Sequence, residues 1–403
     1  MTAEPDLANN EEGDDEEAED SELVGYLEDP PSAEDRKLLT RRNFPSKVGG
    51  KPAWLIPKNL PELTCRKCAR PMRFLLQSYA SRGWVNSGAF HRVVHIFVCT
   101  SCQPNEVVAY RAQLPRENDF YSSDPPDQEQ IMLQANNDPE LEELICWECG
   151  LPCGVTPLDP DVEEVSTEPV VANRCDECAR RLRNGDCIAV FEERELTCCD
   201  AEEPEDEEDL EGGEDANDEE SNVANEMPLA EAEKALGISM PAQGADDAAL
   251  MEKLQEFRDR VKDDPEHALD KTEQRVFDKW SKEKGVHDKA FSSFQKFSTA
   301  NPLHVVRYMF GGEPLWFCDS NQLKGKPPDC PLCSGPRVFE IQVQPQLIAL
   351  LSEGALPELG KRLDFGVFYV FVCENSCNPK DDEPYVEEFV HVQPEPREAW
   401  LPK

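Results

Sequence analysis

The sequence predicts a mainly β protein with a helical linker, in which two duplicated cysteine-knuckle β modules are joined by a cysteine-rich insert and disordered acidic segments. Three observations lead to this fold class. One set of sequence blocks occurs twice in the same order, both copies contain apolar runs with strand character, and two long acidic runs hold few apolar residues. The chain is therefore expected to have two related globular parts and an unrelated middle.

The duplication is visible in three blocks. Gly49-Gly50-Lys51-Pro52-Ala53-Trp54 returns as Gly311-Gly312-Glu313-Pro314-Leu315-Trp316. A cysteine pair follows in each copy, and the same three residue types stand at the same offsets behind it: Pro71, Phe74 and Gln77 in the first copy, and Pro336, Phe339 and Gln342 in the second. A second cysteine pair closes each copy.

Composition divides the chain into six parts. An acidic tail (1–22) precedes the N-terminal module (23–125), and a cysteine-rich insert (126–199) is followed by an acidic linker (200–226). A helical connector (227–300) leads to the C-terminal module (301–403). We expect both acidic segments to be disordered, because they bury too little apolar surface to offset the entropy of ordering the chain.

Each module contains three segments with the apolar and aromatic residues typical of strands. They are 73–79, 92–98 and 107–114 in the N-terminal module, and 337–343, 365–372 and 385–393 in the C-terminal module. Residues 366–372 are apolar on both faces of the predicted strand, which favours a central, buried position in a sheet.

The connector contains three helical patterns. The first covers 246–261 with Asp246 as its N-cap, the second covers 272–284, and the third ends before Asn301 and Pro302. Apolar residues recur at helical spacing in the first and third: Leu250, Leu254, Phe257 and Val261, then Phe291, Phe294 and Phe297. Such stripes usually face a core, so these helices are predicted to pack rather than to carry function.

The formal net charge of −42 is concentrated in two runs. Residues 1–22 carry eleven acidic and no basic residues, and residues 200–220 carry fourteen acidic and no basic residues. Direct nucleic-acid binding is not expected, because phosphate would be repelled; the only basic candidates within 65–82 are Arg66, Lys67, Arg70, Arg73 and Arg82. The acidic runs either keep the chain soluble or attract a strongly basic partner.

The N-terminus has no basic stretch followed by an apolar one, and no apolar run approaches the roughly 20 residues of a membrane span. We therefore expect no signal peptide, no membrane partner and a cytoplasmic location. The seventeen cysteines then lie in a reducing compartment, where paired cysteines more often bind a metal than form disulfides.

The cysteine pairs predict structural zinc. A Cys-x-x-Cys turn aims two thiolates at one ion, and two such turns complete a tetrahedral site. The predicted ligands are Cys65, Cys68, Cys99 and Cys102 in the first module, Cys330, Cys333, Cys373 and Cys377 in the second, and Cys146, Cys149, Cys175 and Cys178 in the insert. Four thiolates leave no position for water, so hydrolytic chemistry is not expected.

Two alternatives remain for these cysteines. Either they are reduced core residues at turns, or one pair is a redox-active dithiol. Several pairs flanked by strands favour metal, and the sequence contains no phosphate loop, nucleophile elbow or carboxylate constellation that would indicate an enzyme. Cys153 or Cys187 could replace a ligand in the insert. Acidic neighbours disfavour a reactive thiolate at Cys198 and Cys199, and Cys318 is read as a small buried residue.

Long stretches of both copies resemble the programmed cell death protein 2 family. In the first copy they are 44–55, 68–77 and 113–122, and in the second 306–308, 328–331, 342–347, 373–377 and 387–390. The resemblance covers about 200 residues at the two ends of the chain. It implies a mainly β fold whose two halves pack as a pseudo-symmetric body.

The resemblance also implies a function, that of a dedicated chaperone or adaptor for one basic small-subunit ribosomal protein, the uS-five family member. Such a protein would serve small ribosomal subunit biogenesis, and whether it shuttles to the nucleus with its client is left open. An alternative is a zinc-stabilised interaction scaffold in cell-death or transcription regulation that acts through the insert. We expect the chaperone, but not the scaffold, to tolerate deletion of residues 144–199.

The insert departs from the family pattern in one respect. Vertebrate members carry a MYND-type zinc finger in the middle of the chain, with a final histidine and cysteine. The insert lacks the histidine and a complete second cysteine set, so it is either a degenerate finger with one metal or an unrelated zinc loop. Peptide recognition of the MYND type is therefore not expected.

Overall fold

The computed structural model describes residues 21–124, 138–142, 144–152, 175, 178, 190–204, 288–354 and 357–394. Within these residues ten strands form a closed barrel. The strands are β1 (Leu23–Leu27), β2 (Lys47–Val48), β3 (Arg73–Tyr79), β4 (His91–Val98), β5 (Val107–Leu114), β6 (Arg194–Asp200), β7 (Val306–Tyr308), β8 (Arg337–Val343), β9 (Val367–Cys373) and β10 (Val386–Gln393).

Helices are few and short in the described part of the chain. They are α1 (Pro139–Glu142), α2 (Lys289–Ala300), α3 (Gln346–Glu353) and α4 (Pro357–Gly360), with 3-10 turns at Asp35–Leu39, Arg41–Asn43 and Ser87–Ala89. None of these helices has the length and apolar character needed to cross a bilayer. The predicted mainly β fold class is confirmed.

The barrel is shared evenly between the two copies of the repeat. The strand order is β1-β6-β2-β3-β4-β5-β10-β9-β8-β7, and β7 closes the barrel onto β1. Each copy supplies four consecutive strands, β2–β5 in what we call the N-half and β7–β10 in the C-half. The halves meet at the β5–β10 pair, which we call the seam, and β1 and β6 complete the opposite side.

Both halves carry the same irregularity. The register between β3 and β4 shifts between Phe74 and Leu76, and the register between β8 and β9 shifts between Phe339 and Ile341. Phe74 and Phe339 stand at the same offset behind their cysteine pairs. A bulge is a designed feature of a sheet, so its presence at the same repeat position shows the duplication in the backbone as well as in the sequence.

The matched glutamines of the repeat hold the Gly-Gly-x-Pro loops against the barrel. Gln77 accepts from the backbone N–H of Ala53 at 2.8 Å, and its amide donates to the carbonyl of Pro45 at 2.9 Å. Gln342 accepts from the N–H of Leu315 at 3.1 Å and donates to the carbonyl of the same residue at 2.9 Å. Both side chains are fully buried, so these bonds satisfy backbone groups that water cannot reach.

Aromatic rings at matched positions complete the same loops. The ring of Trp54 stacks on His95 with centroids 5.2 Å apart, and Trp316 packs on Tyr369 with centroids 4.7 Å apart. A ring nitrogen of His95 lies 3.3 Å from the carbonyl oxygen of Ala53, and the Tyr369 hydroxyl donates to the carbonyl of Leu315 at 3.3 Å. His95 is therefore a structural residue of the N-half.

The barrel interior holds the main core. Every residue of β4 and β9 is buried, so both strands are covered on their inner and outer faces, as the apolar run 366–372 predicts. The same core cluster includes apolar side chains of α3 and of the segment that follows it: Leu347, Leu351, Leu359, Leu363 and Phe365.

The same buried region contains ion pairs. Arg92 of β4 and Glu340 of β8 are fully buried and paired at 2.5 and 2.8 Å, and the Tyr308 hydroxyl donates to Glu340 at 3.0 Å. Arg111 of β5 and Glu388 of β10, also fully buried, are paired at 2.7 Å. Both pairs join the N-half to the C-half.

The outer faces of the two halves are covered by different elements. The N-half packs against the four insert cysteines Cys146, Cys149, Cys175 and Cys178 and a loop tied down by the Trp54 indole, which donates to the carbonyl of Gly150 at 2.8 Å. The C-half packs against α2 through Phe294, whose ring lies 5.0 Å from that of Phe317.

Helix α2 confirms the third helical pattern. Asp288 caps its N-terminus by accepting from the N–H of Phe291 at 2.9 Å, and Phe294 and Phe297 are buried. The first two helical predictions, 246–261 and 272–284, lie outside the described residues.

Strand β6 lies at the point where the cysteine-rich insert is expected to end and the acidic linker to begin. Residues 194–199 of the expected insert and Asp200 of the expected linker form β6. This strand pairs with β1 from Leu23↔Asp200 to Leu27↔Leu196, and it also pairs with β2. Only Leu196 of β6 is buried, so the strand has almost no apolar signal of its own. Its pairing with two strands distant in sequence determines its conformation.

Close packing accompanies this pairing. Gly49, which has a φ of +67°, could not carry a side chain, because a β-carbon there would lie 2.1 Å from the backbone oxygen of Glu192. Ala201 donates to the carbonyl of Glu22 at 2.8 Å, and the N–H of Glu202 donates to Asn301 at 2.9 Å. Asp200, the last residue of β6, and the adjoining Ala201 and Glu202 are therefore bonded to the barrel body, as is Glu22.

Candidate metal centres

Three cysteine tetrads come together in the described residues, and they are the three sets predicted from the sequence. Within each tetrad all four sulfur atoms lie within 4.8 Å of one another. The tetrads are Cys65, Cys68, Cys99 and Cys102 (the first centre), Cys330, Cys333, Cys373 and Cys377 (the second centre), and Cys146, Cys149, Cys175 and Cys178 (the third centre).

One local geometry builds the first half of every centre. The first cysteine of each pair accepts a hydrogen bond at its backbone carbonyl from the N–H of the residue four positions later. The distances are 2.8 Å for Cys65, 2.9 Å for Cys330 and 2.8 Å for Cys146. Each also donates its N–H to the carbonyl five positions on, at 2.9, 2.8 and 2.9 Å. A left-handed residue closes each turn: Ala69 at φ 54°, Ser334 at φ 56° and Gly150 at φ 71°. This knuckle points both thiols of a Cys-x-x-Cys motif to the same side.

The first centre joins two strands of the N-half. Its knuckle precedes β3, and Cys99 follows β4 directly. The sulfurs of Cys65 and Cys102 are 3.7 Å apart, and those of Cys68 and Cys99 are 3.6 Å apart. Sulfurs bound tetrahedrally to zinc at about 2.3 Å are about 3.8 Å apart, so this spacing fits such an ion.

The second centre repeats this arrangement in the C-half. Its knuckle precedes β8, and Cys373 is the last residue of β9. The sulfurs of Cys330 and Cys377, and those of Cys333 and Cys373, are 3.6 Å apart. The wider Cys-x-x-x-Cys turn is accommodated by Ser376, which has a positive φ of 41°.

The third centre is the most enclosed. All four of its cysteines are buried, whereas Cys333 of the second centre is exposed. The N–H of Cys175 donates to the sulfur of Cys146 at 3.3 Å. Cys153 and Cys187, considered as substitute ligands, lie outside the described residues, and the four cysteines favoured from the sequence form the tetrad without them.

Backbone N–H groups prepare the knuckle thiols for metal. A hydrogen bond from the backbone N–H of Arg70 lowers the pKa of Cys68 to about 7, and the N–H of Gly335 lowers the pKa of Cys333 to about 7. The thiolate is the form that binds a metal, so these two hydrogen bonds favour binding, whereas burial raises the pKa of Cys99 and of Cys373 in the same centres. Four sulfur ligands close the coordination sphere, which suits a structural role.

The remaining described cysteines stand apart from the three tetrads. Cys198 and Cys199 are exposed on β6. Cys318 is buried, as predicted, and its thiol donates to the carbonyl of Ser320 at 3.3 Å.

Of the five basic residues of segment 65–82, Arg66, Lys67 and Arg70 are exposed. Arg66 pairs with Glu387, and Lys67 pairs with Glu106 at 3.1 Å. Arg73 and Arg82 are buried.

A groove lies where the two halves meet on the outside. Its volume is about 330 Å³, and both halves line it, with Leu114, Pro115 and Phe120 on one side and Pro379 and Pro384 on the other. The ammonium group of Lys58 lies 5.6 Å from the centre of the Phe120 ring. The lining is mixed: six apolar side chains alternate with polar and charged ones, among which are Lys58, Lys380 and Asp381.

Polar residues at the seam are functional candidates that the sequence does not reveal. Asn86, Asn105 and Gln113 bond to the loops of the first and second centres. None of the three belongs to a matched block of the repeat. Gln113 opens the stretch 113–122 that resembles the family, but the role of all three residues follows from the way in which the two halves face each other.

Fold and site together define a class of protein: a closed β barrel made of two related halves and equipped with four-cysteine centres positioned to hold a metal. The family model for the programmed cell death protein 2 N-terminal domain matches residues 22–128, and the model for the C-terminal domain of that family matches residues 288–394. The chain belongs to the programmed cell death protein 2 family. No solved structure matches it.

Full-length relatives support this assignment. Programmed cell death protein 2 of Bos taurus is 31% identical over 390 residues, which cover 92% of this chain and 95% of the relative. The Mus musculus protein of the same name is 29% identical over 383 residues, with 92% and 95% covered. A Schizosaccharomyces pombe protein named "Probable 20S rRNA accumulation protein 4" is 30% identical over 128 residues, which cover 28% of this chain and 31% of the relative.

Proposed function

We propose that this protein is a dedicated chaperone for a basic small-subunit ribosomal protein of the uS-five family and serves small ribosomal subunit biogenesis. The observation that carries the proposal is membership of a family that includes a relative named for 20S rRNA accumulation. The identity of the client is what the family resemblance implies.

The charge of the chain supports a basic client. At a net charge of −42, the protein attracts a cationic partner over a distance of about one Debye length, roughly 8 Å at physiological ionic strength. Such attraction mainly raises the rate of association and selects against acidic partners. Free ribosomal proteins are rich in positive charge, so an acidic chain screens them from nucleic acid until assembly.

The groove between the two halves is the proposed place for an extended segment of the client. Its apolar residues, Leu114, Pro115, Phe120, Pro379 and Pro384, offer contacts that salt does not screen. Binding therefore has two components, a long-range electrostatic one and a short-range apolar one. At about 0.5 M salt the screening length falls to a few ångströms, and only the apolar component persists.

The metal centres give this binder its rigidity. We propose zinc as the metal, because four thiolates at tetrahedral spacing suit this ion, and the closed coordination leaves no catalytic position. The proposed role is binding and not catalysis. A cytoplasmic location, with or without shuttling to the nucleus, belongs to the same proposal.

Affinity purification of the tagged protein from native cells tests this function. At moderate salt we expect strong enrichment of one small-subunit ribosomal protein without the rest of the subunit. A Phe120→Ala variant should lose most of the salt-resistant fraction of that client, whereas Glu358→Gln, an exposed substitution outside the groove, should retain it. Recovery of whole subunits would point to a factor that acts on assembled particles. Recovery of regulatory proteins instead of ribosomal ones would overturn the proposal.

The scaffold alternative needs a different test from the deletion that the sequence suggests. Removing residues 144–199 would take away most of β6 and the third centre, so the barrel would be lost whatever the function. Trp147, which lies in the third knuckle, is 49% exposed and is the better probe. A scaffold that acts through the insert should lose partners in Trp147→Ala, and the proposed chaperone should keep its client.

A further inference from the structure

The seam between the two halves has a short ladder. Strands β5 and β10 pair over three residues, Arg111↔Val386, Tyr110↔Glu387 and Ala109↔Glu388. The neighbouring pair β4 and β5 is matched over eight residues. A ladder of this length supplies few backbone bonds, so other contacts must contribute to holding the halves together at this side of the barrel.

The first centre is tied to the C-half through one side chain. Asn105 is 1% exposed, and its amide donates to the carbonyls of Cys99 and Cys102 at 3.0 and 2.8 Å. The same amide donates to the carbonyl of Arg362 in the C-half at 3.2 Å, and the amide oxygen accepts from the N–H of Asp364. Asn105 therefore bridges the metal-binding turn of one half and the segment that precedes β9 in the other.

The second centre is tied to the N-half in the reciprocal way. The carbonyl of Ser376, between Cys373 and Cys377, accepts from Gln113 and from Asn86, each at 2.8 Å. Arg111 donates to the carbonyl of Cys377 at 3.0 Å, and its guanidinium lies 3.9 Å from the sulfur of Cys377. Gln113 and Arg111 belong to β5, the N-half strand of the seam.

Charge pairs strengthen both connections. Arg66, between the two cysteines of the first knuckle, pairs with Glu387 of β10. Arg111 and Arg337 share the fully buried carboxylate of Glu388, at 2.7 and 2.9 Å. Four thiolates around a divalent ion carry a net charge of about −2, so the guanidinium of Arg111 beside Cys377 also faces negative charge when metal is bound.

We infer that each of these two metal centres clamps the opposite half of the barrel, with Asn105 and Gln113 as the positioning residues of the clamps. Metal keeps the two cysteine turns in the shape that presents the carbonyls of Cys99, Cys102 and Ser376 to these amides. Loss of metal from either centre therefore loosens the seam as well as its own knuckle. This inference does not depend on the proposed client. Because Gln113 also lines the groove between the two halves, the shape of that groove should depend on metal as well.

Hydrogen exchange of the zinc-loaded full chain, followed by mass spectrometry, tests the first clamp. Cys68→Ser removes one ligand in the N-half, and the readout is the amide exchange of residues 361–367 in the C-half. Loss of one hydrogen-bonding connection worth about 1.4 kcal/mol raises exchange there about tenfold. In an Asn105→Ala background the exchange is already raised, and Cys68→Ser should then add less than about twofold.

Matched variants separate the clamp from general loosening. Asn118→Ala removes side-chain bonds of the same type, to the N–H groups of Phe120 and Tyr121, without touching a centre, and should leave exchange of 361–367 unchanged. The reciprocal pair is Cys333→Ser with Asn86→Ala, read at residues 84–90, because Asn86 donates to the carbonyl of Ser376. Unchanged exchange at 361–367 in a folded Cys68→Ser variant, or simple addition of its effect to that of Asn105→Ala, would overturn the inference.

Metal release provides a second measurement that needs no cysteine variant. A chromophoric chelator in excess should withdraw zinc from the first centre about tenfold faster in Asn105→Ala than in the wild type, because the second turn of that centre is less well held. Asn118→Ala should release zinc at the wild-type rate. Equal release rates in Asn105→Ala and the wild type would show that Asn105 only satisfies buried carbonyls and does not couple metal to the seam.

Discussion

The buried pair of Arg92 and Glu340 allows the sharpest test of how the two halves are joined. Both side chains are 0% exposed, and two hydrogen bonds of 2.5 and 2.8 Å connect them. Glu340→Gln keeps the size of the side chain and removes its charge, which leaves the Arg92 guanidinium buried without its carboxylate. Breaking such a pair costs about 3–5 kcal/mol. For a body of this size that corresponds to a fall in Tm of roughly 6–20 °C.

The assay is urea unfolding of the zinc-loaded protein, with the midpoint compared between variants at an unchanged slope. The double variant Arg92→Met with Glu340→Leu removes both charges and should recover most of the loss, because no ion is then buried alone. Glu358→Gln disrupts an exposed pair with Lys361 and should cost less than about 1 kcal/mol. If Glu340→Gln costs less than about 1 kcal/mol, or the double variant is no more stable than the single one, this account of the barrel interior is refuted.

Three further predictions concern metal, pH and charge. Zinc analysis of the purified protein should give three ions per chain, and stripping them should abolish cooperative unfolding, since structural zinc contributes roughly 10 kcal/mol or more; a metal-free preparation that still unfolds cooperatively contradicts this. Burial lowers the pKa of His95 from 6.5 to about 4, so the unfolded chain binds the proton more tightly and stability falls as the pH drops from about 6.5 towards 4. His95→Phe keeps a ring beside Trp54 and should flatten the stability difference between pH 7.5 and pH 5 by about 2 kcal/mol; a parallel pair of curves argues against a buried neutral imidazole. Deleting residues 205–220, which spares β6, should slow association with the basic client and reduce its salt dependence, and stopped-flow rates that match the full chain would exclude the electrostatic role.

The repeated blocks of the sequence predicted several strands of the barrel and the cysteine tetrads. Strands Arg73–Tyr79, Val107–Leu114 and Arg337–Val343 have the bounds expected from their apolar runs, and all twelve predicted ligands fall into their expected tetrads. These features were readable because they are local or periodic. A strand buried on both faces must be apolar throughout, and a metal-binding turn needs its two cysteines at a set spacing. Matched offsets then mark residues such as Gln77 and Gln342, which play the same part in both halves.

Only the tertiary structure shows how the barrel closes and which side chains form hydrogen bonds across its seam. β6 is mostly exposed and lies beside an acidic run, so only its pairing with β1 and β2 makes it a strand. Asn105 and Gln113 contact the opposite half across more than 250 residues of chain, through bonds of a kind that any polar residue could make. The period of apolar residues and the spacing of cysteines are properties of a single segment, so they can be recognised in the sequence. The partner of a buried polar group depends on which surfaces meet, and that is set only when the two halves pack.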